Sequence, residues 1–352
     1  MNLVCAAERL GLGPLLGAPL LLKDDEQGPV WKAATDSGLW VVKLNRPWGD
    51  FWLPMAAQAG ALEVAAWETG VAMPEPQSTT LAEAGLWRPI GDGVYARAVR
   101  FVQGSHPTAP TSEALAAWAG ALVAELARCA IPADPDVDGD YRSYSQAEWE
   151  EWFAQAGHLE VLSAEHIRVL RLSVEQAEAM VADQQELWRS KLVMHRDIRH
   201  QNVLTGSGGP VLLDFDAAGA QEPWWELVFT SFGLAGFGRG LEMPKRRIVE
   251  ACLSGYVAAG GAIGAVDESA FTGVFASRVG TAAWLLWMAC GHRGGSPEYQ
   301  AGFARRLRES VEAMAVMLKA TPTWAAWLAA QAENTGRGAA DSRSHGRSTF
   351  SR

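Results

Sequence analysis

Apolar and polar positions alternate in short runs over roughly the first hundred residues and then recur at three- and four-residue spacing, so strands precede helices along the chain. Val30-Trp-Lys-Ala-Ala-Thr35 and Leu39-Trp-Val-Val-Lys-Leu44 are rich in β-branched and aromatic residues, and Asp36-Ser37-Gly38 between them has hairpin-turn chemistry. The periodicity predicts a helix over 56–69, stopped by Gly70, with Pro74 returning the chain to an extended path. Residues 86–89 and 94–102 read as further strands. Gln103-Gly104-Ser105-His106-Pro107 breaks the pattern and marks the expected boundary between 1–103 and 104–333.

Beyond that boundary the spacing predicts helices over 112–130, 145–156 and 173–190, then two short strands around Gly206-Ser-Gly-Gly209, then four helical segments between Trp225 and Gln331. Trp149, Trp152, Trp284 and Trp287 fall at helical spacing and are expected in the core rather than stacked on a ligand. Residues 334–352 are rich in Gly, Ser and Arg and nearly lack apolar side chains, the composition of a disordered tail.

Composition narrows this picture. A chain of 352 residues is expected to divide into two lobes. A net charge of -10 argues against a phosphate-tracking nucleic-acid surface and suits a cationic ligand. Cys5, Cys129, Cys252 and Cys290 are widely scattered, so neither a disulfide framework nor a zinc site is expected, and a reducing cytoplasm fits. Residues 1–22 carry Glu8 and Arg9 and are interrupted by Gly and Pro, unlike a secretory leader. The apolar run 281–290 is too short for a bilayer and reads as a buried helix, so no membrane association is expected. Asp134 to Asp140 alternates aspartates like a calcium loop, but Ser145 stands where the closing glutamate is needed.

The chemistry concentrates in Val193-Met-His-Arg-Asp-Ile-Arg-His-Gln-Asn-Val-Leu204 and Val211-Leu-Leu-Asp-Phe-Asp216. Phosphoryl transfer needs a carboxylate to position the attacking hydroxyl and oxygen ligands to hold Mg²⁺ against the phosphates. Asp197 supplies the first, and the amide of Asn202 with the carboxylate of Asp214 supplies a hard oxygen set.

These segments resemble the catalytic loop and metal-binding hairpin of the aminoglycoside phosphotransferase and choline kinase-like family, within the protein-kinase-like fold. The resemblance spans about residues 20 to 330, with the central motif its specific part. It implies an α+β, bilobal architecture: a small antiparallel-sheet lobe binding nucleotide, and a large helical lobe carrying the catalytic loop and the acceptor site. It further implies ATP, or GTP in its place, with Mg²⁺, and transfer of the γ-phosphate to a hydroxyl of a small molecule. Carried over, Asp197 is the catalytic base, and Asn202 and Asp214 hold the metal. Lys43 contacts the α/β-phosphates and is held by Glu63, with Glu68 the fallback. Phe101, Val102 and Gln103 face the adenine, and Arg199 takes the place of a lysine that steadies the γ-phosphate. Asp136, Asp138, Asp140, Glu148 and Glu151 form an acidic lip. The expected acceptor is an aminoglycoside-like or other cationic antibiotic; an amino sugar, a choline-like alcohol or another metabolite is the alternative.

Several positions depart from that pattern. Lys23 to Pro29 holds one glycine and no G-x-G-x-x-G, Asp214-Phe-Asp216 replaces D-F-G, and no A-P-E segment follows, all of which oppose a protein kinase despite His195-Arg196-Asp197. A catalytically silent nucleotide-binding module is opposed by the presence of Asp197, Asn202 and Asp214. Asp216 is expected to pair with Arg196 or Arg199, with a further carboxylate beside the metal as the alternative, His195 to pack and hydrogen-bond, and Glu226 to act structurally.

Overall fold

Five strands form one antiparallel sheet: β1 (Leu20–Asp25), β2 (Gly28–Thr35), β3 (Gly38–Asn45), β4 (Arg88–Gly91) and β5 (Val94–Arg100), in the order β1-β2-β3-β5-β4. The computed structural model describes residues 3–25, 28–47, 49, 51–134, 136–137, 144–183, 191–237, 243–292 and 294–345. Side chains alternate across a strand. Trp40, Val42 and Leu44 of β3, with Ala96 and Ala98 of β5, therefore share one face, and they pack on Leu3, Ala6 and Ala7 of helix α1 (Leu3–Arg9). The opposite face carries Lys43 and Arg97, which are register partners across β3 and β5. On that side Tyr95 packs with Trp52 and Ala56 of helix α2 (Trp52–Glu68) and with Trp87.

The chain divides into two units. The first comprises Met1–Thr108, Glu125–Asp138 and Lys191–Ala220; the second comprises Ala109–Ala124, Gly139–Ser190 and Gln221–Arg352. The catalytic-loop segment thus clusters with the sheet, where the sequence reading put it with the helices after residue 103. Backbone hydrogen bonds explain the difference. Ser105 and Thr205 exchange two, at 3.0 and 2.9 Å, and Val193 N–H donates to Ile131 O at 2.8 Å. In this unit β6 (Leu192–Met194) pairs with β9 (Gly219–Gln221), and β7 (Val203–Gly206) forms a hairpin with β8 (Gly209–Leu212).

The second unit is helical. It contains most of α3 (Glu113–Arg128), then α4 (Gln146–His158), α5 (Ala164–Asp183), α6 (Pro223–Leu234), α7 (Arg246–Ala258), α8 (Thr272–Ala289) and α9 (Pro297–His345). Trp149, Phe153, Leu170, Leu286, Phe303 and Leu307 sit in its core, with Trp152 and Trp284 packed against them, as the tryptophan spacing implied. Helices α3 and α7 touch through glycine: a Cβ on Gly120 would lie 1.9 Å from Cys252 O, and one on Gly255 1.9 Å from Ala117 O. Helix α5 starts nine residues before the expected Ser173, because the Ser163 hydroxyl accepts from His166 N–H and caps it there. Residues 184–190, the end of that expected helix, lie outside the described residues. Helix α9 continues to His345, past the onset of the expected tail at 334. Extending an existing helix costs far less than nucleating one, so Ala-containing sequence propagates it. No helix of the described residues is long and apolar enough to cross a membrane, and none of the four cysteines is in a disulfide.

Candidate active site

The loop after β6 is fixed from within. His195 is fully buried; its Nε2 donates to Leu213 O at 3.0 Å and its Nδ1 accepts from Asp197 N–H at 3.3 Å. Burial pushes the imidazole down to about 4, with the Leu213 bond opposing, so the ring is neutral and acts as a brace. Phe215 lies edge-on to it at 4.8 Å. Arg196 adopts φ 61°, uncommon for a residue with a Cβ, and its Nε donates to Ala217 O at 2.8 Å. Its guanidinium lies over Gly219, where a Cβ would approach within 2.8 Å. Arg196 therefore ties its own turn to the segment that follows Asp214.

Asp197 emerges from this braced turn with both carboxylate oxygens engaged. Asn202 Nδ2 donates to Oδ2 at 2.6 Å and to the Asp197 carbonyl at 2.9 Å, while Arg199 Nε lies 3.0 Å from Oδ1. Since the amide nitrogen of Asn202 points at Asp197, its oxygen is the end left for a cation. Leu213 N–H donates to Asn202 O at 2.8 Å and joins the loop to the hairpin strand that delivers Asp214. Asp214 sits in the left-handed region at φ 65°. Two non-glycine residues in that region, one in each motif, are the kind of local strain that functional sites retain.

A charged network completes the site. Lys43 Nζ lies 2.5 Å from Asp214 Oδ1 and 2.7 Å from Asp216 Oδ2. Arg97 reaches Asp216 Oδ1 at 2.8 Å through Nη1 and Glu63 Oε1 at 2.5 Å through Nη2. Burial pulls the Lys43 ammonium down, but Asp214 and Asp216 outweigh it and hold lysine above its ordinary value. Asp214 is driven the opposite way: burial raises it, and Lys43 carries it well below the carboxylate range. Glu63 stays raised, because burial exceeds the attraction of Arg97, and its Oε2 has no hydrogen-bond partner among the described residues.

Sequence-derived positions fare unevenly. Asp197, Asn202, Asp214, Lys43 and Glu63 converge in the first unit, but Glu63 binds Arg97 and not Lys43. The guanidinium carries its donors on separate nitrogens of a rigid fork, so Arg97 reaches Glu63 through one and Asp216 through the other, while the Lys43 ammonium is taken up by Asp214 and Asp216. Asp216 pairs with Lys43 and Arg97, correcting the expected bond to Arg196 or Arg199. Arg97 was missed in the sequence; its signal was an arginine opposite Lys43, legible only once the strand register is known. Phe101 donates its N–H to Leu39 O at 3.0 Å, and the Lys32 ammonium lies 3.8 Å from its ring centroid; Val102 and Gln103 follow toward Ser105. Of the acidic lip, Asp138 and Asp140 lie outside the described residues. Asp136 is exposed, with its N–H on Asp134 Oδ1, and belongs to the first unit, whereas Glu148 and Glu151 belong to the second. Glu148 closes a capping box with Ser145, accepting from its N–H at 2.7 Å and its hydroxyl at 2.8 Å.

Among the solved proteins similar to this chain in fold are a spectinomycin phosphotransferase, an aminopropanol kinase, a choline/ethanolamine kinase family protein and the amicoumacin kinase hAmiN. Spectinomycin phosphotransferase APH(9)-Ia, in complex with ADP and spectinomycin, is 15% identical over 86% of this chain and 93% of its own, with a TM-score of 0.62. The microcompartment-associated aminopropanol kinase is 16% identical over 91% and 99%, at 0.58. A choline/ethanolamine kinase family protein from Mesorhizobium loti is 17% identical over 93% and 96%, at 0.55. No curated protein matches the chain in sequence. Residues 21–261 match the APH profile, described as the phosphotransferase enzyme family, and that span holds every residue of the network around Asp197 and Lys43. The chain belongs to the APH phosphotransferase enzyme family.

Proposed function

We propose that the protein transfers the γ-phosphate of ATP, with GTP as a possible substitute, to a hydroxyl of a small cationic molecule, using Mg²⁺. The observation that carries this reading is the convergence of Asp197, Asn202, Asp214 and Lys43 within one unit. Asp197, clamped by Asn202 and Arg199, orients the acceptor hydroxyl for in-line attack and accepts its proton. Lys43 meets the α/β-phosphates, and Phe101, Val102 and Gln103 line the base.

Among the described residues no three His, Cys, Asp or Glu side chains gather as a metal cage. Mg²⁺ needs none: it takes one or two carboxylates and completes its shell with phosphate oxygens and water. The carboxylate of Asp214 and the outward oxygen of Asn202 fit that requirement. The bound cation would neutralise charge on the transferring phosphoryl group. Relatives in fold support a nucleotide and a divalent ion, having been solved with ADP, or with AMP-PNP and Ca²⁺.

The acceptor proposed first is an aminoglycoside-like or other cationic antibiotic, in keeping with the net charge of -10 and with spectinomycin and amicoumacin as the substrates named for two fold relatives. An amino alcohol or amino sugar is the second reading, favoured by the coverage of the aminopropanol kinase, 91% of this chain and 99% of that one. Of the acidic residues, Asp136, in the unit that holds Asp197, is the proposed contact for an ammonium group of the acceptor, and Glu148 is reserved for the cap. Cysteines outside any disulfide fit a cytoplasmic setting, and no nucleic-acid or membrane partner is proposed.

The test is ATP consumption across hydroxylated antibiotics, amino sugars and amino alcohols, repeated with Asp197→Ala. The variant is expected to lose at least about a thousandfold in turnover while binding ADP normally. Near-normal turnover of Asp197→Ala removes the assignment.

A further inference from the structure

Arg97 has no role in the scheme above, yet it is buried and bonded to two carboxylates of the site. Its guanidinium spans Glu63 and one oxygen of Asp216, and Lys43 spans the other oxygen of Asp216 and Asp214. Three carboxylates thus share two cations, and the arrangement decides which carboxylate gets which cation. Glu63 is neutralised without Lys43, so nothing draws the lysine toward helix α2. It stays instead on Asp214, the carboxylate that a divalent cation needs.

We propose that Arg97 is a positioning residue of the phosphotransfer site: by claiming Glu63 and one oxygen of Asp216 it keeps Lys43 on the metal hairpin, so that lysine and divalent cation compete for Asp214 until nucleotide phosphates draw the lysine away. This rests on the nucleotide-and-metal reading of the same site. It makes metal binding weak without nucleotide and strong with it, because the phosphates supply the anion that Lys43 leaves Asp214 to meet. Glu63 Oε2, buried and unpartnered among the described residues, marks what happens without Arg97. Without Arg97 the buried carboxylate is left with Lys43 as the other cation that acts on it, and an uncompensated buried charge draws such a partner in.

The experiment is a titration of Mn²⁺ followed by electron paramagnetic resonance, with and without ADP, on the full chain and three variants. In the unmodified protein ADP is expected to tighten Mn²⁺ binding by about tenfold or more. Lys43→Met, which removes the competing ammonium, is expected to bind Mn²⁺ alone about tenfold more tightly. Arg97→Met is expected to do the same, since Lys43 turns to Glu63, and to lose the tightening by ADP. Arg97→Lys, which keeps the charge but loses the guanidinium's rigid fork, is expected to fall between. A general disturbance of the site would weaken Mn²⁺ and ADP together. Unchanged or weaker Mn²⁺ binding in folded Arg97→Met therefore overturns the proposal; if that variant does not fold by circular dichroism, the same result in Arg97→Lys decides it. Mn²⁺ binding that ignores ADP in the unmodified protein overturns the coupling alone, whereas binding of neither ligand removes the nucleotide reading and this proposal with it.

Discussion

Arg199 Nε lies 3.0 Å from Oδ1 of Asp197, on the carboxylate oxygen opposite the one that accepts from Asn202. The arginine therefore holds the carboxylate proposed as the base. Its side chain is 48% exposed, so the pair adds little to stability. Arg199→Ala is expected to lower kcat by about tenfold or more while changing unfolding free energy by less than about 1 kcal/mol. Steady-state kinetics beside a urea titration separates the two effects. An unchanged kcat would remove Arg199 from the catalytic group.

Arg196 resists its own backbone. At φ 61° a side chain costs energy, and the bond from Nε to Ala217 O offsets that cost. Arg196→Ala keeps the unfavourable conformation and loses the bond, so it is expected to destabilise by about 1–3 kcal/mol. Arg196→Gly relieves the conformation and should be about 1 kcal/mol more stable than the alanine variant. Chemical denaturation of the two variants gives the order; alanine above glycine would contradict it.

Much of this site was legible because its parts are local. The spacing from Asp197 to Asn202 and the adjacency of Asp214 and Asp216 survive folding unchanged, so one short stretch exposed the chemistry. Strands over 30–35 and 39–44 were legible by alternation, and the helix expected over 145–156 by its periodicity. What the sequence concealed depends on register and on competition. Arg97 meets Lys43 only because β5 runs antiparallel to β3 in one particular alignment. Which cation Glu63 takes is a contest between lysine and arginine that spacing does not decide. The placement of the catalytic segment with the sheet likewise rests on the Ser105–Thr205 bonds between residues a hundred positions apart.

Glu148 tests how acidic residues were assigned to the acceptor. As the reciprocal partner of Ser145 it starts helix α4, and removing it strands the Ser145 N–H. Glu148→Ala is expected to cost about 1 kcal/mol of stability and to leave the KM for the acceptor unchanged within about twofold. Asp136→Ala, in the exposed acidic stretch and outside any helix cap, is expected to do the reverse, raising KM without lowering the melting temperature. A raised KM in Glu148→Ala with unaltered melting would return that residue to the acceptor site.

His195 sets the acid limit of the fold. Its imidazole is held neutral with a value of about 4 against an ordinary 6.5, so unfolding lets it take up a proton anywhere between the two. A depressed value means the stabilisation is complete above about 6.5 and disappears as the pH falls toward 4; in full it amounts to about 3 kcal/mol. Asp214, also depressed, withdraws its contribution only below the ordinary carboxylate range, beneath this window. Glu63 acts in the opposite direction, since a raised carboxylate gains stability as the pH falls, so the informative quantity is a difference between proteins. His195→Gln keeps a side-chain donor for Leu213 O and does not titrate. Between pH 7.5 and 5 the unmodified protein is expected to lose about 2 kcal/mol more than this variant in urea unfolding. Parallel decline of the two curves would mean that His195 is solvated or already charged in the folded chain, and the brace behind Asp197 would have to be sought elsewhere.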